Sequence, residues 1–187
     1  MDSITLAALA GGLLLIGGAL VFRRTGADYA SHGRLTRSSS LLQLLLFVLH
    51  GASSLVFLDS GFGAIDRGNP LFGLAVLLIV GGLIILLTTL GRFGMHRAAG
   101  DEVGSLTCSG MYRRTRNPQV ISYGVAVLGY GLLWPSWTGI FWLFLYFVLA
   151  HRMVTTEEKH LRMVYGKEYV DYCQLTPRYF DLPGTKK

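Results

Sequence analysis

Residues 119–150 contain no Asp, Glu, Lys or Arg, and the corner Trp134-Pro135-Ser136-Trp137 divides them into two apolar runs. A charge-free stretch of this length does not suit the surface of a water-soluble domain. It suits two helices that cross a bilayer out and back. Tryptophan favours the membrane interface and proline stops the helix before it, so the corner belongs at one membrane surface. The polar stretches on either side of the hairpin, 109–118 and 155–172, are then returned to the opposite surface next to each other.

Three further apolar runs precede the hairpin, at 4–22, 41–58 and 71–90. With 119–134 and 137–150 they predict an all-α integral membrane protein of five transmembrane helices in a single domain, 1–187. A composition of 51% hydrophobic and 15% charged residues, with a mean hydropathy of +0.46, agrees with that class. The first run carries no Lys or Arg before it and Arg23-Arg24 after it, the reverse of a secretory signal.

The formal charge of +6 would otherwise point to nucleic acid, but its placement reads as a topology signal. Arg23, Arg24, Arg34 and Arg37 follow the first run. Arg92, Arg97, Arg113, Arg114 and Arg116 follow the third, and the remaining cations lie in the tail; Arg67 alone falls on the other side. The positive-inside rule therefore puts the N-terminus outside and the C-terminus in the cytoplasm. Cys108 and Cys173 then lie at or near a reducing compartment, and two cysteines make neither a disulfide framework nor a four-cysteine metal site. No cluster has metal-ligand spacing, and neither a nucleic-acid partner nor an obligate protein partner is evident.

Several polar residues read as helix punctuation. Ser38-Ser39-Ser40 offer capping hydroxyls to the second helix. Asn117-Pro118 is a favourable helix start, and Thr155-x-x-Glu158 has the spacing of a capping box, with Arg162 one turn after Glu158. Leu161, Val164 or Tyr165, Tyr169 and Tyr172 give one apolar face to a cytoplasmic tail helix over about 153–173, which Gly166 bends or interrupts. Glycines at 81, 82, 124, 129 and 131 read as close-packing points between helices rather than a phosphate loop. His50 is either the lining of a polar cavity or a neutral imidazole bonded to a neighbouring helix. The same residues also admit a chemical reading. A helix start beside Arg116 can hold an anion, and Glu157 or Glu158 can hold an ammonium or serve as a base.

The order Gly110-x-Tyr112-x3-Arg116-Asn117-Pro118, apolar hairpin, Glu157-Glu158-x2-Leu161-x4-Gly166-x2-Tyr169-x2-Tyr172 resembles the membrane-embedded isoprenylcysteine carboxyl methyltransferase and phospholipid N-methyltransferase superfamily. The resemblance covers roughly residues 90–180. Many relatives have histidine in place of Asn117, and an aromatic residue in place of Val120. The resemblance implies S-adenosylmethionine as cofactor, bound between the two polar stretches. Gly110, Tyr112, Arg116, Asn117 and Pro118 would form one side, Glu157 and Glu158 the other, with Tyr169 packing the closing tail and Arg116 and Glu158 nearest the chemistry.

It also implies a lipid or lipid-like methyl acceptor at the cytoplasmic face. Thr176-Pro177-Arg178-Tyr179 and the Asn form of the proline motif favour a phospholipid amine over a carboxylate of isoprenylcysteine type. An NADPH-dependent sterol-type reductase and a non-catalytic membrane scaffold are the other readings the sequence admits. The membrane is the cell inner membrane in a bacterium and the endoplasmic reticulum in a eukaryote.

Overall fold

The computed structural model describes residues 2–58, 65–93 and 106–180, the side chains of 92 and 93 excepted. Half of the expected outer loop at 59–70, much of the arginine-rich third loop with Arg97, and the last tail residues with Lys186 and Lys187 lie outside the described residues. The described residues form helices and connecting turns, with no strand among them.

The first helix, α1 (Ser3–His32), begins where the Asp2 carboxylate accepts the Thr5 N–H at 2.9 Å. It continues straight through Arg23-Arg24, so the polar stretch between the first two apolar runs leaves a connection of only four residues, 33–36. Charge ends an apolar run, but it does not end a helix. The first residue that does so is Gly33, whose φ of 65° only glycine adopts without strain. The next helix, α2 (Arg37–Phe57), is capped by Thr36 rather than by the serine triplet. The Ser38 and Ser39 hydroxyls instead accept from the Arg24 guanidinium at 2.9 and 3.2 Å, tying the two helices together.

The third helix is α3 (Phe72–Phe93), and the next described element is a single 3-10 turn, Gly110–Arg113. Pro118 opens α4 (Pro118–Leu132), and the Trp-Pro-Ser-Trp corner ends it as the sequence requires. Ser136 then caps α5 (Trp137–Tyr165) by accepting the Gly139 N–H at 3.0 Å. The tail does not begin a new helix at 153, because α5 continues unbroken to Gly166. That glycine, at φ 52°, separates it from α6 (Lys167–Leu175).

Among the described residues, α1, α2, α3 and α5 are long and apolar enough to cross a membrane. The fourth of the five expected spans, at 119–134, is not among them, since α4 has 15 residues. At 1.5 Å per residue that is about 22 Å, against a hydrocarbon core of about 30 Å. The opposite holds for α5, whose 29 residues extend about 44 Å. Its excess length carries Glu157 and Glu158.

The core lies among α1, α2 and α5, where Phe22, Leu46, Trp142, Leu145 and Leu149 are buried. Gly18 of α1 admits Leu149 so closely that an added Cβ would stand 2.5 Å from its Cδ2. His50 is fully buried in this core and is paired with Trp142. The Trp142 Nε1–H donates to the His50 carbonyl at 2.9 Å, and His50 Nε2 lies 3.1 Å from the Trp142 carbonyl. A carbonyl only accepts, so Nε2 carries the proton. His50 thus joins two helices, the second of the readings that its position admits.

Against this core α3 packs almost wholly through α4. At their closest approaches, a Cβ on Gly82 would meet the Ser122 carbonyl at 2.6 Å, and one on Gly129 the Ala75 carbonyl at 2.6 Å. Gly124 receives the Tyr146 ring in the same way, whereas a Cβ on Gly81 would meet nothing within 4 Å. The close-packing expectation therefore holds at 82, 124 and 129 and fails at 81.

Candidate functional site

The two polar stretches meet where the end of α5, helix α6 and the following strap, 176–180, close over the start of α4. Backbone and side-chain donors of the first stretch turn toward the strap. The Arg116 N–H donates to the Pro177 carbonyl at 3.0 Å. The Thr115 hydroxyl and the Asn117 Nδ2 both donate to the Arg178 carbonyl at 3.0 Å. Asn117 occupies the cap position of α4, but its side chain makes no cap hydrogen bond; the strap has taken it. Pro118 fills the first helical position as expected.

Glu158 is the centre of the cluster. Its side chain is 6% exposed, and two guanidiniums share it. Arg178 grips both oxygens, Nε to Oε1 at 3.1 Å and Nη2 to Oε2 at 2.7 Å, and Arg116 Nη2 reaches Oε1 at 3.3 Å. These bonds hold the Arg178 guanidinium pKa above its usual value, the Glu158 hydrogen bond being the main cause. The expected partner Arg162 is exposed and takes no part in these bonds. Thr155 does not cap either: it sits mid-helix and donates back to the His151 carbonyl at 2.9 Å.

Arg116 is nine-tenths buried. Its Nη1 contacts the Cys173 thiol, and among the described residues its Nε finds no hydrogen-bond partner. Tyr169, 1% exposed, stands within electrostatic reach of Glu158, Cys173, Arg116 and Glu157. Its phenol pKa is raised, first by burial and then by the Glu158 charge. The Tyr172 hydroxyl donates to the Tyr112 carbonyl at 2.6 Å and thereby ties α6 to the 3-10 turn.

Glu157 differs from its neighbour. It is half-buried, and no ion pair to it is found among the described residues. It acts electrostatically on Tyr29, Tyr112 and Tyr169. Tyr29 itself stacks on His160 at 4.0 Å between ring centres, which brings the end of α1 against the end of α5. Beyond Tyr112, a cleft of about 400 Å³ opens between the end of α3 and the 3-10 turn, lined in part by Thr88, Thr89, Thr107, Gly110, Met111 and Tyr112. Gly110, at φ 61°, is exposed and turns the chain into that cleft.

The fold thus gathers Arg116, Asn117, Pro118, Glu157, Glu158, Tyr169 and Tyr112 into one region, with Gly110 at its margin. Arg113 and Arg114 are exposed and stand apart from these bonds. The residue that sequence reasoning missed is Arg178. The sequence reading used it only within Thr176-Pro177-Arg178-Tyr179, as a mark of the acceptor type, and gave it no place in the site. Among the described residues no group of three His, Cys, Asp or Glu side chains is gathered to hold a metal ion.

Comparison with known proteins bears on this region directly. No solved structure matches the chain. The nickel-cobalt-cadmium resistance protein NccN of Alcaligenes xylosoxydans xylosoxydans is 32% identical over 107 residues, which are 57% of this chain and 50% of that protein. The chain thus spans about half the length of that curated relative. The phospholipid methyltransferase family matches residues 71–168, a span that runs from the residue before α3 to the first turn of α6 and includes Arg116, Glu157 and Glu158. Covering more than half of the chain, that match makes it a member of the phospholipid methyltransferase family.

Proposed function

We propose that this protein transfers a methyl group from S-adenosylmethionine to a lipid or lipid-like acceptor at the cytoplasmic membrane face, with a phospholipid amine as the favoured acceptor. In this reading the N-terminus lies outside, the C-terminus inside, and α4 completes the hairpin with α5. The observation that carries it is the cluster of Arg116, Glu157 and Glu158 at the mouth of that hairpin, within the stretch that matches the family.

The residues present fit the cofactor. Arg116 has a buried Nε donor without a partner among the described residues, and α4 begins beside it with no side-chain cap. A carboxylate suits both. Glu157, to which no ion pair is found among the described residues, suits an ammonium. The rings of Tyr112 and Tyr169 suit a sulfonium. When bound, the cofactor supplies an electrophilic methyl group.

The chain's own residues align the reactants and exclude water. Glu158, pinned by two arginines, fixes the end of α5 against the start of α4 and so holds the two sides in register. An acceptor amine arrives as an ammonium and must lose a proton before it can attack; with Glu157 given to the cofactor's ammonium, we assign that proton to cytoplasmic water at the mouth of the hairpin. The hydroxyl-lined cleft beside Tyr112 and the exposed apolar face of α3 give a lipidic acceptor a lateral approach.

A carboxylate acceptor is the second reading, favoured by the cations Arg113 and Arg114 at the same surface. Methyl-labelled cofactor supplied with membrane lipids separates the two. An amine-linked label survives mild alkali, the expected result, and release of labelled methanol would transfer the assignment to a carboxyl group. Recovery of no labelled lipid under any condition would contradict the proposal as a whole. In the same assay Glu157→Gln should weaken cofactor binding by roughly tenfold to a hundredfold, the worth of one charge-assisted hydrogen bond.

A further inference from the structure

Two guanidiniums and one carboxylate leave the group Arg116, Glu158, Arg178 with one surplus positive charge, and the fold has gone to some length to create it. Arg116 and Glu158 alone would cancel. The cancellation is lifted by Arg178, which comes from the strap rather than from either polar stretch. The strap is held by three separate donors, the Arg116 N–H, the Thr115 hydroxyl and the Asn117 amide, all aimed at two successive carbonyls, Pro177 and Arg178. The buried Thr176 lies immediately before them. Arg178 in turn satisfies both Glu158 oxygens. Among the described residues Arg116 is thereby left with its buried Nε donor unused and with one carboxylate oxygen, itself shared, at 3.3 Å.

We propose that Arg178 is a positioning residue for an anion subsite. By occupying Glu158 it frees Arg116 to bind a ligand carboxylate, while the adjacent Glu157 takes the ligand's ammonium. The inference rests on the cofactor reading above and names the part of the cofactor that the strap governs, its zwitterionic amino-acid end. Without the Arg178 charge, Glu158 turns wholly to Arg116 and the subsite loses its surplus. The nucleoside end of the ligand is indifferent to that exchange.

The experiment uses two ligands that differ in that end alone. S-adenosylhomocysteine carries the amino-acid group, and 5′-methylthioadenosine carries the nucleoside thioether without it. Both are titrated calorimetrically into the purified full-length protein and into the Arg178→Gln and Arg178→Lys variants. The expected result is at least a tenfold loss of S-adenosylhomocysteine affinity in Arg178→Gln. Binding of 5′-methylthioadenosine should be unchanged, which also shows that the variant is folded. Arg178→Lys, which keeps the charge without the fork, should lose less. Equal weakening of both ligands, or of neither, would overturn the inference and leave the cofactor reading standing. Failure of the wild-type protein to bind either ligand would overturn both.

Discussion

The seam between α3 and α4 and the polar clasp around Glu158 are both close contacts, but they are specified in opposite ways. The seam holds because atoms are missing. At Gly82 and Gly129 each helix lies against the backbone of the other, and one methyl group would have nowhere to go. The clasp holds because charges are present in a fixed ratio, two guanidiniums to one carboxylate. In a bilayer the first kind of contact replaces the hydrophobic drive that lipid removes. The second kind is costly to bury and is retained where a ligand needs it. Shape specifies the scaffold, and charge specifies the site.

Breaking the clasp should have the largest effect. Glu158→Ala leaves Arg116 and Arg178 facing each other with no anion between them. Removing one partner of a buried pair costs about 3–5 kcal/mol. A thermal melt in detergent micelles should show that loss, and a melt like that of the wild type would mean that the arginines are solvated and the clasp is not a unit.

The seam is tested next by Gly129→Ala, whose new Cβ would sit 2.6 Å from the Ala75 carbonyl and 2.9 Å from the Ile79 nitrogen. Forcing the helices apart costs about 1–3 kcal/mol. Gly81→Ala, one residue from the seam but facing open space, should cost nothing by the same melt. Equal effects of the two substitutions would remove the distinction between seam and lipid-facing glycines.

A finer test separates the parts of the clasp. Tyr172→Phe removes one hydrogen bond, to the Tyr112 carbonyl, and should cost about 0.5–1.5 kcal/mol. Slower hydrogen exchange in the 3-10 turn of the variant than of the wild type would refute that tie.

The smallest effect near neutral pH comes from the buried phenols. Burial raises the pKa of Tyr112, Tyr169 and Tyr172 in the folded chain. Each folded value exceeds its unfolded one of about 10, so their contribution is fully present below that pH and is lost as pH rises through the folded values. Melts should be insensitive to these groups up to about pH 9 and fall beyond pH 10; a fall that began below pH 9 would have another source.

The scaffold was legible in the sequence wherever a local signal suffices. The Trp134-Pro135-Ser136-Trp137 corner and the break at Gly166 are examples. Local signals misled where charge was read as a helix end, at Arg23-Arg24, and where a cap spacing fell inside a longer helix, at Thr155. That the candidate residues come together was legible, because two stretches flank one hairpin. Its wiring was not. The i+4 rule pointed from Glu158 to Arg162, but a buried carboxylate takes the partners that are buried with it, and these lie 42 residues before and 20 residues after it in the chain. Asn117 likewise spends its amide on a carbonyl 61 residues away. No periodicity encodes such partners; only the closing of the strap brings them together.

The central claim is that the region where the two polar stretches meet binds S-adenosylmethionine. Equilibrium binding of labelled S-adenosylmethionine to the purified protein in micelles or nanodiscs tests it most directly. The account predicts saturable binding at one site per chain, competed by S-adenosylhomocysteine and weakened by Glu157→Gln in a variant that melts like the wild type. Absence of saturable binding by the folded wild-type protein would contradict it.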